Sequence, residues 1–419
     1  MTIKAIRGFA LVGATSIAAL LGSAAHAVEI EYWQYFFDAR VTAMEQLIEQ
    51  FQAANPDITV TMTHFPYADY RTKVAAAIPA GEGPDVVQLF YGWLNDYREA
   101  QLIQPLPADV FPADKIEAEF FPMVGAMRDG DAYWALPTAV RSLALFYNER
   151  LMEEAGIDGP PTTLDEMVAA AAKMTKRDGA GNITQVGLTA GMTAQDHHWF
   201  REGLVRQFGG EPYTDDYKTV NYNNDAGLAA LEFYTGLFTG DNAVSSVGFM
   251  DEPQAAFKAG RAGMHIDGSF RIGSLAEVRG LKWGVTELPA QDGVQSNYAS
   301  YWVNAITTKA QGEKYDAAVK FMEYIVSDEA MQIWLDVVGE LPAKPSVGMT
   351  EANADNAVFG PFIKGLAYAH TTKFVDESGQ RQVLVDMVER MTLQGMGAAE
   401  SLAVAAEAEQ AILDGYYNK

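Results

Sequence analysis

The chain has 419 residues, of which 49% are hydrophobic and 20% charged, and its formal net charge is −25. A chain of this length can bury large cores but exceeds the usual size of one domain, so we expect two domains. The negative charge disfavours nucleic acid and anionic membrane surfaces as partners. Because the chain has no cysteine, a disulfide framework, nucleophilic cysteine chemistry and lipid attachment through an N-terminal cysteine are excluded.

The first 27 residues have the pattern of a secretory signal peptide. Lys4 and Arg7 precede an uncharged apolar run at 9–21, and the Ala-His-Ala sequence at 25–27 fits a cleavage site. The apolar run is shorter than the roughly 20 residues that a membrane span needs. We therefore expect cleavage before Val28 and a periplasmic protein.

Strand and helix patterns alternate along the first part of the mature chain. In order, they predict a strand at 30–33, a helix at 41–51, a strand at 58–63, a helix at 70–78 and a strand at 85–89. This alternation is typical of mostly parallel sheets with helices on both faces.

The same patterns continue with clear helix signals. Asn148 is expected to cap a helix that Gly156 stops, and Thr163 with Glu166 has the spacing of a capping box. The later segments, in order, are a strand at 143–147, helices beginning at 148 and 163, a strand at 262–266, a helix at 315–325 and helical structure at 383–413. No internal repeat and no long flexible linker is present, so two domains would have to be joined by short crossings.

Catalytic and metal-binding signatures are missing from the sequence. There is no G-x-S-x-G, H-E-x-x-H, phosphate-loop or G-x-G-x-x-G motif. His197 and His198 are neighbours, and neighbouring side chains on a helix point about 100° apart. We interpret them as helix-surface or cleft-edge residues, and we expect no metal, no cofactor and no enzymatic activity.

Short segments along the mature chain match, in order, the landmarks of a known family. They are MEQLIEQF at 44–51, NPDI at 55–58, AGEGPDVV at 80–87, YWALP at 133–137, FYNERL at 146–151 with AG at 155–156, GRAGM at 260–264, LP at 288–289, the helix at 317–324 and GELPA at 339–343. On these segments the chain resembles family 1 of the bacterial extracellular solute-binding proteins, the sugar-binding components of ABC importers and the group that includes maltose-binding protein.

The resemblance implies an α/β fold of the type II periplasmic-binding-protein kind, with two lobes that each contain a mostly parallel sheet flanked by helices. The implied lobes are 28–138 with 288–338, and 139–287 with 339–419. Three crossings would join them, near 137–139, 285–288 and 338–342. The solute would lie between the lobes, and the permease would recognise the shape that hinge closure produces.

The resemblance also places candidate ligand contacts at strand ends that face the cleft. Sugars are held by aromatic faces and by planar polar groups that bond their hydroxyls. The candidates are Gln34, Tyr35, Tyr91, Trp93, Arg141, Trp199, Asp267, Ser269, Phe270, Tyr301, Trp302 and Glu340.

Some of these candidates have an alternative placement. Trp199 could be buried in the core of the second lobe, Arg141 could be a solvated or ion-paired surface arginine, and Glu340 could be an acid on the surface of the hinge. Phe270 stands where relatives commonly have tryptophan, which implies weaker stacking on a sugar. Tyr301 and Trp302 are large aromatics in a segment that is glycine-rich in many relatives, so we expect a narrow cleft and a small ligand.

The predicted function is a monomeric periplasmic receptor for a mono- or disaccharide, a sugar alcohol or a glycoside, which delivers it to a membrane permease. A polyamine or an anionic sugar derivative on the same fold remains an alternative. A secreted carbohydrate-active enzyme would need two carboxylates at a fixed separation across the sugar, and nothing in the sequence singles out such a pair.

Overall fold

The computed structural model describes residues 27–191, 198–250 and 253–418. Residues 1–26 of the predicted signal peptide, and His197, lie outside this part of the chain. The strands are β1 Val28–Tyr35, β2 Ile58–Phe65, β3 Val86–Phe90, β4 Arg128–Asp129, β5 Ala132–Tyr133, β6 Leu136–Asn148, β7 Lys176–Arg177, β8 Ile183–Thr189, β9 Ala262–Gly268, β10 Trp283–Thr286, β11 Asn297–Ile306, β12 Leu341–Pro342 and β13 Ala369–His370.

Helices connect most of these strands. They are α1 Asp38–Ala54, α2 Tyr67–Ala77, α3 Leu94–Glu99, α4 Ala113–Glu119, α5 Glu149–Glu154, α6 Leu164–Met174, α7 Val205–Gln207, α8 Asp225–Gly236, α9 Pro253–Lys258, α10 Ile272–Ala276, α11 Glu313–Ile325, α12 Asp328–Val338, α13 Pro345–Gly348, α14 Glu351–Ala354, α15 Gly360–Gly365, α16 Glu377–Thr392 and α17 Ala398–Tyr417. None of the described helices is long and apolar enough to cross a lipid bilayer.

The predicted helix signals are confirmed. The side chain of Asn148 accepts a hydrogen bond from the backbone N–H of Leu151 at 3.1 Å, and α5 ends two residues before Gly156, whose φ is 63°. Thr163 and Glu166 form the reciprocal hydrogen bonds of a capping box at the start of α6. Each signal satisfies backbone groups that a helix terminus leaves unpaired.

One sheet runs through the molecule. Its main path is β2-β1-β3-β11-β6-β9-β8-β7, with β10 and β12 paired to β6 and β13 paired to β11. β1 is parallel to β2 and β3, and β8 is parallel to β9, as the alternation of strands and helices predicts. β11 is antiparallel to β3 and β6, and β6 is antiparallel to β9. The sequence patterns do not reveal these antiparallel pairs, because a fully buried strand has the same apolar run in either direction.

Two large clusters of buried apolar side chains lie along this sheet. The first cluster includes Ile30 of β1 and Trp302 of β11, and the second cluster includes Leu188 of β8. β6 contributes Leu136 to the first cluster and Leu145 to the second. The two halves of the molecule are therefore joined by continuous strand rather than by a flexible linker.

The second expected crossing, 285–288, lies between the clusters, with Val285 in the first and Leu288 in the second. Leu288 is buried in the second cluster, and Ala290 donates its N–H to the carbonyl of Thr162 at 2.9 Å. These contacts keep the chain beside the second cluster beyond residue 288. β11 follows, and it pairs with β13 at its first residues and with β3 at its last. β12 pairs with Ala139 and Val140, so it lies beside β6 where the other two crossings are expected.

Candidate functional site

Two cavities lie between the halves of the molecule and share the side chains of Tyr35 and Arg141. The aromatic chamber has a volume of about 300 Å³, and it lies between the first-cluster strands and the start of α16. The hinge chamber has a volume of about 980 Å³, and its lining includes the turn at 269–274 and Gly339 with Glu340. Together they form one cleft that the pair of Tyr35 and Arg141 divides.

Trp302 is the centre of the aromatic wall of the smaller chamber. Its ring centroid lies 4.3 Å from that of Tyr35, 5.4 Å from that of Trp93, 5.9 Å from that of Phe90 and 6.1 Å from that of Tyr67. Trp302 is opposite Phe90 in the antiparallel pair of β11 and β3, so both side chains are on the same face of the sheet. The wall offers apolar surface of the kind that covers the C–H faces of a sugar ring.

Glu340 is the acceptor of a buried polar network at the hinge. Arg141 donates from Nε to Glu340 Oε1 at 2.8 Å and from Nη2 to the Tyr35 hydroxyl at 2.9 Å. Arg40 is ion-paired with the other oxygen of Glu340, which also accepts a hydrogen bond from Trp334 Nε1 at 2.9 Å. Three segments distant in the sequence thus meet at one carboxylate.

The charges in this network stabilise each other. Burial alone would raise the pKa of Glu340, but the positive charges of Arg141 and Arg40 lower that pKa to about 2. Burial opposes the charge of Arg141, whereas the nearby Glu340 carboxylate raises the pKa of Arg141 above its usual value. Glu340 and Arg141 are therefore both ionised near neutral pH.

Two further ion pairs lie at the rim of the aromatic chamber. Arg71 is paired with Asp96 at 3.0 Å, and its guanidinium carbon lies 5.0 Å from the ring centroid of Trp93. Arg381 is paired with Glu377 at 3.4 Å, one turn apart on α16. Arg71, Arg381 and Glu377 line the chamber, so charged groups from both sides of the cleft face the same space.

The structure brings seven of the predicted contacts to the cleft. Tyr35, Trp93, Arg141 and Trp302 line the aromatic chamber, and Tyr35, Arg141, Ser269, Phe270 and Glu340 line the hinge chamber. The ring centroid of Phe270 lies 5.4 Å from the guanidinium carbon of Arg141. The two chambers thus share a boundary made of predicted residues.

Other candidates do not line these chambers, because successive side chains of a strand lie on opposite faces of the sheet. Tyr301 precedes Trp302 in β11, so its side chain is on the opposite face, where its hydroxyl donates to the carbonyl of Met123 at 2.8 Å. Tyr91 stacks on Tyr301, with ring centroids 4.8 Å apart. Gln34 precedes Tyr35 in β1 in the same way, and it is fully buried and lines neither chamber.

The side chains of Trp199 and Asp267 are also surrounded by other residues of the protein. Trp199 is buried in the second cluster, with its ring centroid 5.8 Å from that of Tyr234. Asp267 accepts from Arg271 Nε at 2.6 Å and lies 3.0 Å from His265 Nε2. Burial opposes ionisation of Asp267, but His265 and Arg271 lower its pKa below the usual value. Both residues therefore face packed neighbours rather than the cleft.

Several residues of the aromatic chamber were not among the sequence candidates. They are Tyr67, Arg71, Phe90, His198, Glu377, Ser378 and Arg381. His198 is buried against Tyr298, with ring centroids 3.9 Å apart, and its place in the chamber lining agrees with the cleft-edge interpretation. The spacing of Glu377 and Arg381 on one helix face was a usable signal, but nothing local indicated that this face meets β1 and β3.

Within the three described ranges, no group of three or more histidine, aspartate or glutamate side chains could hold a metal ion.

Comparison with known proteins gives three related findings. The profile of the bacterial extracellular solute-binding proteins matches residues 46–360. The maltotriose-binding protein of Pyrococcus abyssi (strain GE5 / Orsay) is 25% identical over 347 residues, which cover 79% of this chain and 70% of that protein. The sn-glycerol-3-phosphate-binding periplasmic protein UgpB of Escherichia coli (strain K12) is 25% identical over 352 residues, which cover 77% of this chain and 76% of that protein.

A solved structure supports the fold. The cyclic alpha-maltosyl-1,6-maltose binding protein from Arthrobacter globiformis matches with a TM-score of 0.80 at 20% identity, over 93% of this chain and 99% of that chain. This match confirms the predicted two-lobed α/β fold class.

Proposed function

The chain belongs to the bacterial extracellular solute-binding proteins, and we propose that it is the receptor of an ABC importer for a small carbohydrate. The observation that carries this proposal is the aromatic wall around Trp302 beside the hydrogen-bonding groups of Arg141 and Tyr35. An aromatic face together with planar polar groups is the combination that sugar recognition requires. A chamber of about 300 Å³ suits a monosaccharide or a small glycoside.

Relatives support the chemical class of the ligand. One is named for maltotriose and another for sn-glycerol 3-phosphate, so both are named for polyhydroxylated ligands. A polyamine fits this chamber less well, because three arginines line it and Glu377, its one acidic lining residue within the described ranges, is already paired with Arg381.

Binding rather than catalysis fits Glu340, the buried carboxylate at the hinge. A glycosidase needs one carboxylic acid that stays protonated near neutral pH. Glu340 has a pKa lowered to about 2, so it cannot supply that proton. The relatives above are likewise named as binding proteins.

In the proposed cycle, the mature protein diffuses in the periplasm as a monomer and closes on its solute by bending at the strands that join its lobes. The permease subunits then recognise the closed shape. Because ligand contacts come from both sides of the cleft, binding favours the closed state over the open one.

A thermal-shift screen of residues 28–419 against sugars, sugar alcohols, anionic sugars and polyamines tests the proposal. A ligand that binds only the folded state raises the melting temperature. We expect stabilisation by a carbohydrate and a smaller radius of gyration in solution scattering when it is bound. Stabilisation by polyamines alone, or release of product from a sugar, would contradict the proposed function.

A further inference from the structure

We propose that the carbohydrate carries an anionic group, a carboxylate or a phosphate, and that Arg141 binds this group with Arg71 and Arg381 beside it. This inference rests on the proposed function, because it concerns the ligand of the same cleft. It follows from an imbalance of charge at the hinge, from the charges that line the aromatic chamber and from the size of that chamber.

The hinge network contains two cations and one anion. Arg40 and Arg141 share the single carboxylate of Glu340, and the exposed fractions of the three side chains are 3%, 14% and 5%. One positive charge is therefore left without a carboxylate partner in a mostly buried place. A buried charge without a counter-charge is unfavourable, so a bound anion would stabilise this arrangement.

Arg141 has donor capacity left for such an anion. Its Nε and Nη2 atoms donate to Glu340 and Tyr35, whereas Nη1 makes no hydrogen bond with any residue in the described ranges. Arg141 also lines both chambers of the cleft. A guanidinium presents its donors in one plane, which matches the oxygens of a carboxylate or a phosphate.

The lining of the aromatic chamber contains more positive than negative side chains. Arg71, Arg141 and Arg381 line it, and Glu377 is its one acidic lining residue among the described residues. The full chain, by contrast, has 55 acidic and 30 basic residues. A lining with more positive than negative side chains favours anions over cations.

The volume of the chamber limits the size of the ligand. About 300 Å³ is at the low end of small-molecule sites, and the aromatic wall occupies one side. One sugar ring against Trp302 leaves room for a single substituent directed at Arg141. A sugar acid and a sugar phosphate share this shape, and they differ in charge and in the geometry of their oxygens.

Isothermal titration calorimetry with matched ligands tests the inference. The ligands are glucose, galactose and mannose, each compared with its uronic acid and its 6-phosphate, at low and high salt. We expect at least one anionic ligand to bind about tenfold or more tightly than its neutral parent, with a loss of affinity at high salt. A preference for the uronate identifies a carboxylate site, and a preference for the phosphate identifies a phosphate site.

Variants at the rim separate charge from packing. Arg381→Gln should weaken binding of the anion by about tenfold, the scale of one lost charge-assisted hydrogen bond. Glu377→Gln removes the negative lining charge and should tighten the same ligand. Arg150→Gln is the matched control, because Arg150 is also in a one-turn ion pair, with Glu154, but lies outside the cleft.

The possible outcomes test the anionic ligand separately from the proposed receptor function. Neutral sugars that bind as tightly as their anionic counterparts would overturn the inference and leave the carbohydrate receptor intact. The same holds if Arg381→Gln and Glu377→Gln shift the affinity in the same direction. Binding of none of the nine ligands would overturn the inference for hexose acids and hexose phosphates, and the thermal-shift screen would still test the carbohydrate receptor. Stabilisation by polyamines alone in that screen would remove the proposed function and the inference together.

Discussion

At the scale of single residues, Trp302 is the ring around which the aromatic wall of the candidate site packs. It contacts rings from β1, β3 and the turn after β3, and it is 4% exposed. Trp302→Ala should weaken ligand binding by about 2 kcal/mol or more, because buried aromatic anchors dominate binding energy. Titration calorimetry measures the affinity, and circular dichroism checks the fold.

The control for this truncation is Trp283→Ala in β10. Trp283 is half-buried against Phe146 and lines neither chamber. It should lower stability without changing affinity. Equal affinities for the wild type and Trp302→Ala would exclude Trp302 from the site.

Glu340 gives the protein a defined response to acid. Its pKa is about 2 in the folded protein and 4.5 ordinarily, so its stabilisation is complete above pH 4.5 and is lost as the pH falls towards 2. Glu340→Gln should lower the free energy of unfolding at pH 7 by about 3 kcal/mol, from the size of that shift. Chemical denaturation at several pH values should show a weaker pH dependence for the variant between pH 4.5 and 2.

An exposed carboxylate on α11 provides the comparison for that experiment. Glu323→Gln should leave the free energy of unfolding close to that of the wild type at pH 7. If Glu340→Gln behaves like Glu323→Gln, the buried network does not stabilise the fold.

At the scale of elements, strand β8 and helix α6 are so close together at Gly187 that there is no space for a side chain between them. A Cβ atom on Gly187 would lie 1.9 Å from the carbonyl oxygen of Ala171 in α6. Gly187→Ala should therefore push the helix from the sheet and cost about 2 kcal/mol of stability. The melting temperature of the variant measures this effect.

Gly179→Ala is the matched control. Gly179 lies in the exposed turn before β8, and a Cβ atom there would meet no atom within 4 Å. Its melting temperature should stay near that of the wild type. Similar values for both alanine variants would show that α6 is not in close contact with β8.

The element scale also explains which site residues could be predicted. Strand ends and their aromatic residues were visible in the sequence, so Tyr35, Trp93 and Trp302 were found together with Arg141 beside a crossing. The sequence did not separate Trp302 from Tyr301, because the face of a buried strand is set by its partners and every residue of β11 is buried. In such a strand, polar and apolar residues do not alternate, so the sequence pattern does not show which face each side chain is on.

Local sequence patterns could not predict the side of the aromatic chamber that α16 forms. Glu377 and Arg381 begin α16, almost three hundred residues after β3, and they reach the chamber only because this helix start packs against the turn after β3. A Cβ atom on Gly92 in that turn would lie 2.9 Å from Glu377 Cγ. Such a contact depends on how the whole chain folds, which no short window of sequence contains.

For the whole molecule, the edge of the cleft near α3 is held by a set of hydrogen bonds between the predicted lobes. Arg98 donates from Nη2 to the Tyr416 hydroxyl at 2.8 Å, and that hydroxyl donates to Asn95 Oδ1 at 2.8 Å. Asn95 donates from Nδ2 to the carbonyl of Val375 at 3.3 Å. These bonds connect α3 to α17 and to the segment before α16, so under the proposed hinge mechanism they would stabilise the closed form before a ligand contributes.

Removal of the Tyr416 hydroxyl should shift the protein towards its open form. Tyr416→Phe removes the hydroxyl that accepts from Arg98 and lies within donating distance of Asn95 and Glu99. A hydrogen bond of this kind has a net value of about 1 kcal/mol, so the variant should weaken ligand binding by roughly tenfold. The unliganded variant should also have a larger radius of gyration in solution scattering. Tyr417→Phe is the control on the same helix, because the Tyr417 hydroxyl makes no hydrogen bond within the described part of the chain. A lower melting temperature with unchanged affinity and radius would instead mean that Tyr416 stabilises one rigid body and has no part in closure.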